Sequence, residues 1–119
     1  MTALDLETGA VKWRASPVFA CGERTHCAPA QTAAVSVVPG VVFSGANDGH
    51  LRAYSATTGG VLWDFDAVRE FPTVNGKPAR GGSFDGGGVA VAGGMVYVAS
   101  GAAVWGGTPG NVLLAFQRE

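Results

Sequence analysis

Eleven residues near the start of the chain, Ala3 to Trp13 (ALDLETGAVKW), return at Ala53 to Trp63 (AYSATTGGVLW), with Ala, Thr, Gly, Val and Trp at the same offsets. Self-similarity at such a spacing constrains the fold more than any other feature, because one copy cannot bury its own apolar face and must stack on the next. The chain is therefore read as an array of similar units.

The unit between the two copies divides into short apolar runs separated by turn residues. Residues 33–38, Val41–Gly45, Leu51–Ser55 and Val61–Phe65 read as strands, and Pro39-Gly40, Asn47-Asp48-Gly49 and Thr58-Gly59 read as the turns between them. A third copy follows, in which Gly93-Gly94 replaces Pro39-Gly40, MVYVASG replaces VVFSGAN, and Ala115-Phe116 of NVLLAF stands where Ala53-Tyr54 did. With 19 Gly, 6 Pro and only 14% charged residues, strands and turns are favoured over helices.

A four-stranded antiparallel unit of this length, repeated, is the signature of a β-propeller blade. The expectation is an all-β partial propeller over residues 1–119, with nine strands in about two and a quarter blades spanning approximately 1–15, 30–66 and 84–117. A closed ring needs four to eight blades, so the remaining blades are expected from a longer parent chain. Trp13 and Trp63 fall on equivalent outer strands, where each wedges between neighbouring blades and contributes roughly 2–3 kcal/mol by burial.

Charge and hydropathy exclude other classes. A net charge of −1, with no run of like charges longer than a pair, gives no footprint for nucleic acid. No segment approaches the roughly 18 apolar residues of a membrane span, and the start of the chain shows no signal peptide. Cys21 and Cys27 enclose His26, but a structural zinc site needs four ligands and His50 is the only other histidine. A disulfide is the other reading, and it requires an oxidising compartment. The missing signal fits that compartment only if Met1 is not the original start.

The pattern A-x-D-x-x-T-G-x-x-x-W is complete at Ala3, Asp5, Thr8, Gly9 and Trp13, and recurs at Ala53, Thr58, Gly59 and Trp63 with Ser55 in place of Asp. It resembles the tryptophan-docking motif of pyrroloquinoline quinone (PQQ) dehydrogenase propellers. The stretches CAPAQTAAVSVVPGVVFSGANDGHLRAYSATTGGVLWDFD, FPTVNGKPARGGSFDGGG and GGTPGNVLLAF resemble the C-terminal portion of polyvinyl-alcohol-dehydrogenase-like quinoproteins, over nearly the whole chain. This resemblance implies periplasmic or secreted enzymes whose ring holds PQQ and a calcium ion over its axis, oxidises alcohols and passes electrons to a cytochrome c. The chain departs from that pattern: it lacks the earlier blades and any C-x-x-C-H haem site, and SGAAVWGGTPG stands where an aromatic-rich glycine loop is expected. The isolated chain is accordingly expected neither to bind PQQ or calcium tightly nor to oxidise alcohols. The alternative is a non-catalytic propeller used as a protein-interaction scaffold, similar to outer-membrane assembly lipoproteins.

Antiparallel alternation puts the bare turns on one rim and the long segments, 16–29, 47–49, 67–85 and 101–110, on the other. Elaborated loops on a rigid scaffold are where function sits. Arg80, Ser83 and Asp85 lead into an inner strand: Arg80 suits a carboxylate of an anionic quinone, Ser83 a donated hydrogen bond, and Asp85 a cation or a proton. The competing reading is of solvated loop residues with Asp85 making a turn. Asp48 reads as a turn residue, Arg52 as a side chain that either extends across the sheet face or, more in keeping with its type, snorkels along it, and His26 and His50 as surface or turn residues without a placed carboxylate partner.

Overall fold

The computed structural model describes residues 1–16 and 21–118. All regular structure among them is β, and the expected hairpin opens the chain. Strand β1 (Thr2–Leu4) pairs antiparallel with β2 (Val11–Arg14), placing Ala3 opposite Trp13. At the turn Asp5 Oδ1 accepts from the Glu7 and Thr8 amides, and Gly9, at φ 71°, carries the chain through a left-handed conformation that a side chain would strain. The second copy repeats this turn with a serine hydroxyl in place of the carboxylate. Ser55 Oγ accepts from the Thr57 and Thr58 amides, Gly59 sits at φ 74°, and Ala53 stands opposite Trp63.

Thr32–Ala33 forms a short strand, β3, ahead of the central sheet. That sheet runs in chain order through β4 (Ser36–Val38), β5 (Val41–Gly45), β6 (His50–Ser55) and β7 (Val61–Asp66), all antiparallel. A two-stranded hairpin, β8 (Glu70–Phe71) with β9 (Ala79–Arg80), interrupts the path to the third sheet. Then β10 (Asp85–Gly86) precedes β11 (Ala90–Ala92), β12 (Met95–Ser100) and β13 (Val112–Gln117), a three-stranded antiparallel sheet. No sheet closes on itself, so the architecture is a partial propeller.

Nine of these strands match the expected ones, β3 is split off from the strand expected over 33–38, and β8, β9 and β10 are additional. The single strand expected over 33–38 is divided, because its two ends pair with different partners. Thr32 and Ala33 pair in parallel with Asp85 and Gly86, whereas Ser36 to Val38 pair with β5. Beyond the switch the Ser36 hydroxyl still donates to the Val89 carbonyl, holding the innermost segments of the two sheets together.

Alternation gives the central sheet two different faces. Leu51 and Phe65 stand on the face that meets the third sheet, where Leu51, Phe84, Ala67, Val98 and Leu114 form the core with Phe43, Phe71 and Phe116 around them. A Cβ at Gly45 would fall 2.4 Å from that of Phe84, so the glycine is what admits the ring. Fully burying Phe84 contributes about 2–3 kcal/mol.

Arg52 and Tyr54 stand on the opposite face, toward the first hairpin, whose Trp13 is seated on the central sheet. Its indole Nε1 donates to the Ala56 carbonyl at 2.9 Å, and its ring covers Gly59 so closely that a Cβ there would lie 2.4 Å from Cε3. Trp63 is held differently from Trp13. It stacks on Phe65, meets Phe116 edge-on at 5.1 Å and remains 36% exposed.

Candidate functional site

The connections between sheet elements at one end of the molecule are joined by side chains into a continuous lattice. Asn47 of the β5–β6 turn donates its amide to Ala30, and the Phe84 amide donates to Ala46. Ser100 Oγ accepts from the Gly82 amide and donates to the Gly82 carbonyl. Thr108 Oγ1 donates to the His26 carbonyl at 2.8 Å, reaching the loop that a Cys21–Cys27 disulfide closes with a Cα separation of 5.6 Å.

Ser83 is at the centre of this lattice. It is 0% exposed; its hydroxyl donates to the Asn47 carbonyl at 2.6 Å and accepts from the Thr108 amide at 2.8 Å. Gly107 comes so close that a Cβ would lie 2.3 Å from Ser83 Oγ. A hydroxyl has one proton to give, and that of Ser83 is spent on protein.

Arg80 is the reverse case. Its backbone is clamped on both sides by Asn111, whose Oδ1 accepts from the Arg80 amide at 2.9 Å and whose own amide donates to the Arg80 carbonyl at 2.8 Å. Its side chain is exposed and makes no hydrogen bond or ion pair among the described residues. Asp85 is only 8% exposed, and its Oδ2 has no hydrogen-bond partner among the described residues. Leaving such an oxygen unpaired costs about 1–3 kcal/mol or more, so it marks a place where a donor or cation is expected. Arg80 ends β9 and Asp85 begins β10, so the two bracket the anchored Ser83 on the segment that leads into the third sheet. Among the described residues no three His, Cys, Asp or Glu side chains converge as a metal cluster.

A second polar group lies on the Arg52 face of the central sheet, where the sequence suggests ordinary turn and surface residues. Arg52 is 2% exposed and does not snorkel; its guanidinium bonds Asp48 at 2.8 Å and Asp64 at 3.1 Å. Burial works against its charge, but Asp48 and Asp64 outweigh that and raise its pKa above the ordinary arginine value. Asp48 is 1% exposed and additionally caps the His50 amide. His50 is not an unpartnered surface residue: Nδ1 lies 2.6 Å from Asp64 Oδ1. Tyr54, also buried, has its phenol pushed up chiefly by desolvation. The signal available was positional. Arg52 alternates onto the same face as Tyr54 and pairs across the strands with Asp64, while the tight turn brings Asp48 back to it.

Comparison with known proteins gives a consistent picture. A family model, PQQ_2, described as outer membrane protein assembly factor BamB, matches residues 1–117. The chain is 46% identical over 128 aligned residues to a polyvinylalcohol dehydrogenase of Pseudomonas sp, and 42% identical over 130 to one of Sphingopyxis sp. (strain 113P3). Each alignment takes in 98% of this chain but 20% of the relative, so the chain spans about a fifth of the length of these curated relatives. Its repeated hairpins, its open array of sheets and a match across nearly all its residues agree: the chain belongs to the PQQ_2 family of β-propeller repeats.

Proposed function

We propose that this chain is a propeller segment of a PQQ-dependent dehydrogenase acting on hydroxylated substrates of the polyvinyl alcohol kind, and that Arg80 and Asp85 face the cofactor from the loop-bearing rim. The observation that carries this reading is the pairing, five residues apart on one segment, of a cation on a clamped backbone with a buried carboxylate oxygen, neither side chain having a hydrogen-bonding partner for that group among the described residues. The 46% identity to a polyvinylalcohol dehydrogenase supplies the substrate class.

These residues fit an anionic quinone. The Arg80 guanidinium presents a planar fork of N–H donors suited to a carboxylate. Asp85 would be the group to accept a proton from a substrate hydroxyl or to provide one oxygen to a cation. Ser83 acts by position, since its bonds to Asn47 and Thr108 hold the loop between the two. When bound, PQQ supplies the two-electron oxidant for converting an alcohol to a carbonyl. Calcium, which takes roughly six to eight oxygen ligands, would draw at most one side chain from this loop and the rest from elsewhere in a longer protein. The blades approximately at 1–15, 30–66 and 84–117 would then form one sector of a ring, with a cytochrome c as electron acceptor. The Cys21–Cys27 disulfide supports a periplasmic or secreted setting.

The family model's description as an outer-membrane assembly factor favours a second reading, a non-catalytic scaffold. Reconstitution with PQQ separates the two. In the full-length dehydrogenase carrying this segment, Arg80→Ala should weaken PQQ binding about tenfold or more, the worth of a charge-assisted hydrogen bond. Arg52→Ala should lower the thermal midpoint without selectively weakening PQQ. Equal losses of affinity in both variants would refute the placement of Arg80, and no PQQ binding by the parent would favour the scaffold.

A further inference from the structure

The chain has three asparagines, and their surroundings differ. Asn47 is 1% exposed, and Asn111, which precedes a β-branched valine, has its side-chain amide tied to the Arg80 amide and the Pro78 carbonyl. Asn75 stands exposed at the tip of the β8–β9 hairpin and is followed by Gly76. We infer that Asn75 is a site of self-modification, at which the Gly76 nitrogen closes on the side-chain amide, ammonia leaves, and water opens the ring to an aspartate.

The chemistry balances with water as the sole co-reactant. Gly76 N gives its proton to solvent base and attacks Asn75 Cγ, forming a nitrogen–carbon bond while negative charge gathers on Oδ1. Collapse breaks the bond from Cγ to Nδ2, which leaves as ammonia with a proton taken from water. The cyclic imide then takes up one water molecule. Opening at the former backbone carbonyl gives a β-linked aspartate, and opening at the side-chain carbonyl gives an ordinary one.

The turn is arranged to help the first step. Two donors converge on the oxygen where charge gathers: the Lys77 amide lies 3.1 Å from Asn75 Oδ1, and the Thr73 hydroxyl 2.8 Å from it. That hydroxyl has one proton, and the Lys77 carbonyl stands 2.6 Å away as a second acceptor. It can serve that carbonyl before reaction and turn to Oδ1 as charge develops. Interactions that strengthen toward the transition state are the ones that accelerate a step. The nucleophile is also unobstructed. Nothing lies within 4 Å of where a Cβ on Gly76 would be, so no neighbour crowds the nitrogen. Its N–H donates to the Thr73 carbonyl at 3.2 Å, at the long end of the range for such bonds. Ring closure removes that bond, and a β-linkage adds a methylene to the backbone of the turn. Only two residue pairs, Glu70 with Arg80 and Phe71 with Ala79, join the strands on either side. The modification therefore loosens the hairpin that carries Arg80.

The test is ageing of the 119-residue chain in mildly alkaline buffer, folded and in denaturing urea, followed by peptide mapping with mass spectrometry. In the folded chain, conversion of amide to acid is expected at Asn75 and not at Asn47 or Asn111, at a rate no slower than in urea. Thr73→Val should slow the folded chain about threefold to tenfold, the effect of one hydrogen bond at an exposed site. Thr73→Ser, which keeps the hydroxyl, should age like the parent sequence, and all three chains should age alike in urea. Amide exchange over residues 70–80 should accelerate in the aged chain but not in an aged Asn75→Gln variant. Folded Asn75 that converts more slowly than in urea, or no faster than Asn111, overturns the site, as does a folded Thr73→Val rate equal to that of the parent sequence. Accelerated exchange in aged Asn75→Gln overturns the consequence for the hairpin. None of these readouts involves PQQ, so the dehydrogenase reading stands or falls separately.

Discussion

Replacing Ser83 by alanine removes one oxygen atom and should cost far more than its size suggests. Ser83 is 0% exposed, and its hydroxyl serves a carbonyl on one loop, Asn47, and an amide on another, Thr108. Ser83→Ala leaves both groups short of a partner in a place that Gly107 packs too closely for water to enter without movement. Each unsatisfied backbone group costs about 1–3 kcal/mol, partly offset because the serine hydroxyl itself no longer has to be desolvated. A net destabilisation of about 2–4 kcal/mol is expected. Urea unfolding should show it as a lower midpoint with an unchanged slope, and amide exchange should accelerate at Thr108. Thr108→Ala provides the control, since its hydroxyl makes only the exposed bond to His26 and its loss should cost under about 0.5 kcal/mol. If Ser83→Ala were as mild as that control, the lattice would not hold the rim loops in place.

Gly59→Ala should unseat Trp13, because the new methyl meets the indole 2.4 Å away at a backbone φ of 74°; a red shift and loss of intensity in tryptophan emission, with a lower melting temperature, would report it. Arg52→Met should destabilise by about 3–5 kcal/mol, since it strands the buried Asp48, and adding Asp48→Asn should recover part of that loss in a double-mutant cycle read by urea unfolding. Asp5 is held below its ordinary pKa, foremost by the Thr8 amide, so its contribution is complete above the unfolded value of about 3.9 and is lost as pH falls through the lower folded value. The Thr8 amide resonance should follow that acid transition, while Thr58, capped by the non-titrating Ser55, should not.

What could be read from the sequence was what is local. The hairpins around Gly9 and Gly59 depend on residues within a few positions of one another, and their shared pattern predicts their shared geometry. The parallel pairing of Thr32 with Asp85 was not legible, because two-residue strands carry no periodicity and their partners are distant in sequence. The candidate site shows the same division. Arg80, Ser83 and Asp85 could be singled out by type and loop, but which of them has spare bonding capacity depends on Asn47, Thr108 and Asn111, which come from other loops. Asp48 reads as a turn residue and Arg52 as a side chain along the sheet because single-residue expectation keeps charges toward the surface; the mutual pairing of the two inside the structure depends on the turn and the neighbouring strand, which that expectation does not see.

The bridge between Thr32–Ala33 and Asp85–Gly86 also orders the events of folding. Each hairpin closes a loop of a few residues and forms on a timescale of roughly 1–10 μs. The bridge joins segments that cannot meet until the chain between them is arranged, so its entropy of closure comes before any reward from its few hydrogen bonds. Interactions made that late speed unfolding when weakened and leave refolding almost untouched. The seam between the central and third sheets is therefore where the molecule should first part under load, with each sheet still paired within itself.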